Sequence, residues 1–168
     1  MLTILAIVSL PILVTFAYAE WRAAPWLPTR SRDIPRFLKL ADIRPDQKVY
    51  DLGCGDGRLV VAAARVGANA EGFEISLLPY LLARVRLLFH RGKNARVRYA
   101  DFWNRNFSDA DVVYLFLTPK ANPRMISKLE RELKSGAKVV AYVWPLHGWT
   151  PSGVDKQESR LDVFLYQR

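Results

Sequence analysis

Cysteine is almost absent from this chain of 168 residues, and histidine is scarce. The chain contains one cysteine, Cys54, and two histidines, His90 and His147. A single cysteine excludes an intramolecular disulfide framework and a cysteine-rich zinc site. His90 falls at the polar end of a predicted helix, and His147 follows a predicted strand as a weak candidate for a general base. We therefore predict no metal centre and assign no catalytic residue.

Charge is missing from the first 19 residues, which read MLTILAIVSLPILVTFAYA. An apolar run of about 18 to 20 residues can cross a bilayer as a helix. A signal peptide would explain the small residues Ala17 and Ala19, but it requires a basic region before the apolar run. The basic residues follow the run instead, which by the positive-inside rule places the remaining chain in the cytoplasm. We predict a single-pass transmembrane anchor over residues 1–21, with the domain on the cytoplasmic side.

Positive charge dominates the whole chain. It has 25 lysines and arginines against 16 acidic residues, a net charge of +9 at pH 7. This excess suits an acidic partner, either nucleic acid or the anionic face of a membrane. A solvated basic surface explains the excess equally well, so the charge alone does not choose a function.

Strand-like and helix-like segments alternate after the apolar run. Residues 22–44 are predicted to form a proline-containing linker and a short helix, and residues 45–168 a single domain. Within the domain, short apolar runs such as KVYDLG and DVVYLFLT alternate with helical stretches. This alternation predicts βαβ units and a doubly wound, mostly parallel sheet, an α/β fold covered by helices on both faces.

A glycine-rich loop follows the first predicted strand, in the sequence VYDLGCGDGRL at residues 49–59. In a doubly wound sheet, ligands bind beyond the carboxyl ends of the strands, where this loop lies. The loop lacks the last glycine of the dinucleotide pattern and the Gly-Lys-Ser/Thr of a P-loop. Asp51 and Asp56 would repel a pyrophosphate. The loop therefore favours a cationic ligand without phosphate, and S-adenosylmethionine (SAM) is such a ligand.

Two further acids end the next two predicted strands. Glu74 ends the second strand, where an acid can accept hydrogen bonds from ribose hydroxyls, although a solvated strand end is equally plausible for it alone. Asp101 ends the third strand, where it could accept from an adenine amine, and Phe102 and Trp103 beside it offer ring faces for stacking. An acid at the end of each of three successive strands strengthens the prediction of SAM.

These stretches resemble the class I SAM-dependent methyltransferases. VYDLGCGDGR is similar to the first motif of that family, and GFEIS and YADFW stand where its second and third motifs lie. The apolar N-terminus, the sequence LPT at residues 27–29 and VVAAAR at residues 60–65 resemble the membrane-associated lysine methyltransferases, which act on the ATP synthase c-subunit and the adenine nucleotide translocase. The resemblance implies a seven-stranded methyltransferase sheet, and it implies cofactor contacts from Asp51, Gly53, Cys54, Gly55, Asp56, Gly57, Glu74, Ile75, Asp101, Phe102 and Leu117.

The acceptor side of the predicted site is less defined. Many amino-methylating members of the superfamily carry an Asn/Asp-Pro-Pro-Tyr motif after the fourth strand, and this chain has Leu117-Thr118-Pro119 there. This departure argues against DNA adenine and glutamine methylation. The segment from Trp144 to Arg160 is short, so we expect one helix of the full fold to be missing. The candidates on the substrate side are Thr29, Thr118, Pro119 and Trp144.

The combined expectation is a membrane-anchored, SAM-dependent protein-lysine N-methyltransferase. Its expected partners are a lysine-bearing protein, which can itself be a membrane protein, and the lipid bilayer. Methylation of RNA or of a small molecule is the alternative, motivated by the arginine-rich stretch from Arg84 to Arg98. A nucleic-acid partner is disfavoured because that stretch lacks an obvious stacking platform. A third alternative is a SAM-binding scaffold without catalysis.

Overall fold

A computed structural model describes residues 1–22, 26–90 and 92–168, without the side chains of residues 2–6 and 8. Short 3₁₀ turns precede α2 and α5 and follow β3. The helices are α1 (Leu2–Arg22), α2 (Ile34–Leu40), α3 (Arg58–Arg65), α4 (Leu77–Leu88) and α5 (Asn122–Glu132). The strands are β1 (Lys48–Leu52), β2 (Asn69–Glu74), β3 (Ala95–Tyr99), β4 (Val112–Leu115), β5 (Lys138–Tyr142), β6 (Gly153–Asp155) and β7 (Val163–Gln167).

The strands form one seven-stranded sheet in the order β3-β2-β1-β4-β5-β7-β6. The first five are parallel, and β7 and β6 are added antiparallel at one end. The strand order reverses between β1 and β4, which creates the crevice in which doubly wound folds bind ligands. The predicted Rossmann-like, mostly parallel sheet is confirmed.

Apolar side chains cover both faces of the sheet in two separate clusters. One cluster packs α5 against the sheet around Phe107, Met125 and Leu129, and the other packs α2 and α3 around Phe37, Val60 and Ala63. β4 is buried at all four positions, as a central strand covered on both faces must be. The glycine loop after β1 therefore follows a strand of a sheet that is covered on both faces.

The first helix, α1, packs with its C-terminal half against the domain. Ala19 is buried, and the hydroxyl of Thr15 accepts a hydrogen bond of 3.1 Å from the backbone N–H of Leu77, where α4 begins. Among the helices of the described residues, none is both long and apolar enough to cross a membrane. The predicted transmembrane anchor over residues 1–21 is therefore not supported by the structure, which shows polar and small side chains of α1 turned to the domain.

The segment predicted as a linker and a short helix is joined tightly to the domain. The guanidinium of Arg36 in α2 binds Asp33 at 3.0 Å and Asp155 at 3.1 Å, and it also donates to the carbonyl of Leu161. The hydroxyl of Tyr142 donates to the second oxygen of Asp33. Because Arg36 and Asp33 are buried, this network fixes α2 against the antiparallel end of the sheet.

Residues 143–162, all of which the structure describes, form no helix between β5 and β7, where we expected one to be missing. The short strand β6 occupies this segment and pairs with β7 from Gly153 to Asp155. Residues 23–25, part of the predicted linker, lie outside the described residues.

Candidate cofactor and acceptor site

A cleft opens at the carboxyl ends of β1, β2 and β4, and the end of α1 and residues 26–29 cover one side of it. The space within it is about 770 Å³, including the part open to solvent. Most predicted cofactor residues line it: Asp51, Gly53, Cys54, Gly55, Asp56, Glu74, Ile75, Asp101, Phe102 and Leu117. Thr29 is the candidate from the acceptor side that lines it.

Four predicted site residues lie outside this cleft. Gly57 precedes α3 with a φ of +71°, and a Cβ there would lie 3.1 Å from the side chain of Ala83, so this glycine allows α3 and α4 to approach. The ring of Trp144 stacks at 5.8 Å on Phe116, which does line the cleft. Thr118 and Pro119 follow the cleft residue Leu117 at the start of a 3₁₀ turn.

Asp51 is only 4% exposed at the end of β1, and its carboxylate faces the cleft without a hydrogen bond from any described residue. Burial raises the pKa of this carboxyl well above its ordinary value, and the nearby charges of Glu74 and Asp56 raise it further. A buried carboxylate without a partner is costly unless a cation or a proton compensates it. Asp51 therefore provides a place for a positively charged group of a ligand.

Asp56 does not act as the free negative charge that we expected to repel phosphate. Both Arg58 and Arg86 reach its Oδ2 atom at 2.6 Å. Although burial alone would raise it, hydrogen bonding and charge from these arginines hold the pKa of Asp56 below its ordinary value. The expectation was wrong for Asp56 because two arginines neutralise it, and the discrimination against phosphate falls to Asp51 and Glu74.

Glu74 holds the glycine loop and the start of α4 in place. Its Oε1 accepts from the backbone N–H groups of Ile75 and Ser76 at 2.8 and 2.7 Å, and its Oε2 accepts from Gly55 at 2.8 Å. Burial nevertheless raises the pKa of this carboxyl. Each carboxylate oxygen has two lone pairs, so Oε2 retains one for a further donor such as a ribose hydroxyl. Glu74 is thus more than a solvated strand end.

Asp101 has partners that the sequence did not reveal. Its Oδ2 accepts from Nε and Nη2 of Arg22 in α1, at 3.1 and 2.6 Å, and its Oδ1 accepts from the backbone N–H of Trp103. One lone pair on Oδ1 remains for the predicted adenine amine. The ring of Trp103 is also covered by the guanidinium of Arg124, 4.1 Å from the ring centroid. Of the two predicted stacking residues, Phe102 is therefore the one whose ring has no cation over it from the described part of the chain.

The indole of Trp26 lies directly over the glycine loop. A Cβ at Gly55 would come within 2.6 Å of its Nε1 atom, and Gly55 has a φ of +54°, so only glycine fits there. Nε1 of Trp26 is buried and has no hydrogen-bond acceptor among the described residues. A buried N–H without a partner is rare in native proteins, and its position in a cleft points to an acceptor on the ligand.

Comparison with known proteins decides the family of this site. The family model for the ANTKMT methyltransferase domain matches residues 51–153. The chain belongs to the ANTKMT methyltransferase family.

Relatives of this methyltransferase are found in archaea and animals. A protein-lysine N-methyltransferase of Saccharolobus islandicus is 36% identical over 149 residues, covering 84% of this chain and 92% of the relative. A lysine N-methyltransferase of the ATP synthase c-subunit from Rattus norvegicus is 35% identical over 76% of this chain. The match spans 59% of the rat enzyme, whose remaining length has no counterpart in the alignment.

A solved structure also resembles this methyltransferase closely. It is described as an RNA methyltransferase from Salinibacter ruber in complex with S-adenosyl-L-homocysteine, with a TM-score of 0.79 and 31% identity over 84% of this chain and 93% of the other. SAM is the cofactor of this methyltransferase, and the cleft fits it. The unpaired carboxylate of Asp51 suits a cationic ligand, and the indole N–H of Trp26 suits its carboxylate.

Two hydroxyl groups face each other in the lining of this methyltransferase cleft. Thr29 Oγ1 lies 3.0 Å from the hydroxyl of Tyr114, and both residues line the cleft. Tyr114 pairs with Asp51 across the neighbouring strands β4 and β1. Burial and the charge of Asp51 raise the pKa of the Tyr114 phenol well above its ordinary value, so it stays protonated.

Sequence reasoning did not assign Arg22, Trp26 and Tyr114 to the site. Arg22 and Trp26 fall in the predicted linker of residues 22–44, and their contacts lie with residues far along the chain. A signal was available for Tyr114 alone, because it lies near the carboxyl end of the central strand β4, where ligands of doubly wound sheets bind.

Proposed function

We propose that this methyltransferase is a protein-lysine N-methyltransferase. The similarity to the Saccharolobus islandicus enzyme supports it, since that relative carries this name and is covered over 92% of its length. The observation that carries the proposal within the structure is the hydroxyl pair of Thr29 and Tyr114 beside the unpaired carboxylate of Asp51. Such a site offers acceptors for an amine at one end of a cleft with aromatic walls.

The residues of the chain divide into cofactor and acceptor roles. Asp51 binds the ammonium group of the cofactor, Glu74 a ribose hydroxyl, and Trp26 Nε1 the carboxylate. The reasoning for Trp26 is electrostatic: the carboxylates of Asp51 and Glu74 repel that group, so it requires an N–H donor. The bound cofactor supplies an electrophilic methyl group on a sulfonium.

The acceptor lysine must be neutral, because an ammonium has no lone pair. Burial in the cleft lowers the pKa of a lysine amine, and the hydroxyl oxygens of Thr29 and Tyr114 accept hydrogen bonds from its N–H groups. Phe116 and Leu117 line the same cleft and provide apolar surface for the lysine chain. Alignment of the amine is then the main contribution of the protein to the rate.

We further propose that the enzyme works at a membrane. The support is the uncharged stretch of residues 1–19 and the basic residues that follow it. A lysine of a membrane protein is then within reach, and the name of the rat relative gives the ATP synthase c-subunit as its substrate. The single-pass topology with a cytoplasmic domain remains a prediction, tested by protease protection of the domain in sealed vesicles.

The activity is tested with the full chain, methyl-labelled SAM and a membrane protein extract. We expect a labelled protein band whose hydrolysate contains methyllysine, and we expect Asp51→Ala to lose both the label and SAM affinity. Tyr114→Phe should keep SAM affinity and lose rate, since it changes the acceptor side alone. SAM binding without a labelled protein would instead favour a non-catalytic scaffold.

RNA is the second candidate acceptor, because the Salinibacter ruber structure is described as an RNA methyltransferase. Its basis in this chain is the run of basic residues from Arg84 to Arg98. A parallel reaction with total RNA separates the two candidates: label in RNA and none in protein would overturn the lysine proposal.

A further inference from the structure

The outer face of α4 is apolar, although it faces away from the domain. Its inner face buries Pro79 and Ala83 against the sheet. A helix on the surface of a soluble domain normally turns its apolar stripe inward and its polar residues outward. The outward side chains at spacings of three and four are between 37% and 80% exposed, and they are Leu78, Leu81, Leu82, Val85, Leu88 and Phe89.

Helix α1 extends this apolar surface at the start of α4. The two helices are in contact, and the bond from Leu77 to Thr15 joins them. Among the side chains of α1 that the structure describes, the large exposed apolar ones are Ile7, Leu10, Leu13, Val14, Tyr18 and Trp21. Single exposed apolar residues are ordinary, but a continuous group on two adjacent helices marks a surface that another apolar body covers.

Basic side chains border this surface along α4 and β3, and α1 adds one exposed acidic residue, Glu20. The sequence from Ser76 to Ala100 contains six basic residues and no acidic residue. Arg84 lies on α4, and Arg96 and Arg98 lie on the edge strand β3, across a groove from Leu88. Arg98 pairs with Glu71, whereas Arg84 bonds only the neutral hydroxyl of Tyr80 among the described residues. An apolar stripe with a basic rim suits an anionic lipid surface.

The same features disfavour two other occupants. A second copy of the chain placed by two-fold symmetry would bring the basic rims together, where like charges repel. RNA would engage the arginines, but it leaves the aliphatic stripe on α4 without a partner, since bases stack on aromatic or guanidinium planes.

We propose that the outer face of α4 lies in the headgroup region of an anionic lipid bilayer, beside α1. Ile75 and Ser76, immediately before α4, line the cofactor cleft, so this placement opens the cleft next to the membrane surface. The lipid contact itself is independent of catalysis. Its consequence for the substrate rests on the proposed lysine methylation: the accessible lysines are those close to the bilayer surface.

The single buried cysteine makes a site-specific test possible. In the full chain, Leu82→Cys is labelled with an environment-sensitive fluorophore and mixed with vesicles of phosphatidylcholine, with or without phosphatidylglycerol. We expect a blue shift and quenching by brominated acyl chains with the anionic vesicles. Val154→Cys, of similar exposure on β6, should show neither, and unaltered protein controls for labelling of Cys54.

Each other outcome overturns the proposal. An unshifted label at position 82 shows that lipid does not cover α4. A blue shift without vesicles that grows with protein concentration identifies a second copy, and a shift with RNA oligonucleotides alone identifies RNA.

A second variant separates this proposal from the proposed function. Leu81→Glu with Val85→Glu in the labelled protein should weaken the vesicle affinity read from the shift about tenfold or more, since two charged side chains replace aliphatic ones on the face in contact with lipid. Because both side chains are exposed, the thermal midpoint and SAM affinity should not change. An unchanged shift in this variant refutes the lipid contact. Absence of SAM binding by the unaltered protein would refute the cofactor assignment alone.

Discussion

Replacing Trp26 by phenylalanine isolates one N–H group above the glycine loop. The ring remains aromatic, but Nε1, which is buried and has no acceptor in the described structure, is removed. A hydrogen bond to a charged acceptor contributes about 1.5 to 3 kcal/mol, so its loss should weaken SAM binding about 10- to 150-fold. Removing an unsatisfied buried N–H also relieves a cost of about 1 to 3 kcal/mol in the ligand-free protein. The loss of ring area offsets part of this gain, so stability should not fall.

Calorimetric titration and thermal unfolding measure these two effects. SAM affinity should fall while the melting temperature without ligand stays level or rises, a combination that a merely structural tryptophan would not produce. Methylthioadenosine lacks the amino acid part of SAM, so its affinity should be unchanged. Trp21→Phe is the matched control, because Trp21 is 70% exposed on α1. Equal losses for SAM and methylthioadenosine, or none for either, would refute the role of Trp26.

Three further predictions concern neighbouring features. SAM affinity should weaken as pH falls in calorimetric titrations, because burial raises the pKa of Asp51 and the cofactor ammonium requires its ionised form; Asp51→Asn should bind weakly without that dependence. The same raised pKa means that the ionised Asp51 destabilises the ligand-free fold at pH above its folded-state pKa, and that this stability is regained as pH falls through that pKa towards the ordinary value. Gly55→Ala should weaken SAM binding by displacing the indole above it, whereas Gly136→Ala, also at positive φ but with no atom within 4 Å, should lose stability alone. Tyr142→Phe should lower stability by about 2 kcal/mol, or roughly 4 to 8 °C in melting temperature, with unchanged SAM affinity; an unchanged melting temperature would contradict the buried network.

The sheet was predictable because its signals are local. The apolar runs of β1 and β4, each followed by a loop at the same edge of the sheet, identified the cleft, and Asp51 and Glu74 follow from their place at strand ends. β6 was missed because three residues, Gly153–Asp155, carry no readable alternation and pair only through β7.

Long-range pairing was not predictable from one sequence. Arg22 and Asp101 stand 79 positions apart, and neither pattern nor spacing connects them. The same limit affected Asp56. The sequence did not indicate that Arg86, on α4, forms an ion pair with this carboxylate. Hydropathy correctly indicated a helix near the N-terminus, but it does not reveal that Thr15 and Ala19 contact the domain.

The placement of β7 between β5 and β6 has a consequence for refolding and partial unfolding of the protein. Whenever β7 is not docked, the backbone N–H and C=O groups of β5 on that side have no strand partner. An unpaired hydrophobic strand edge invites pairing with other chains. Release of β7 from the otherwise intact parallel strands should therefore favour aggregation, and the exposed edge of β5 is then the surface that a chaperone would cover.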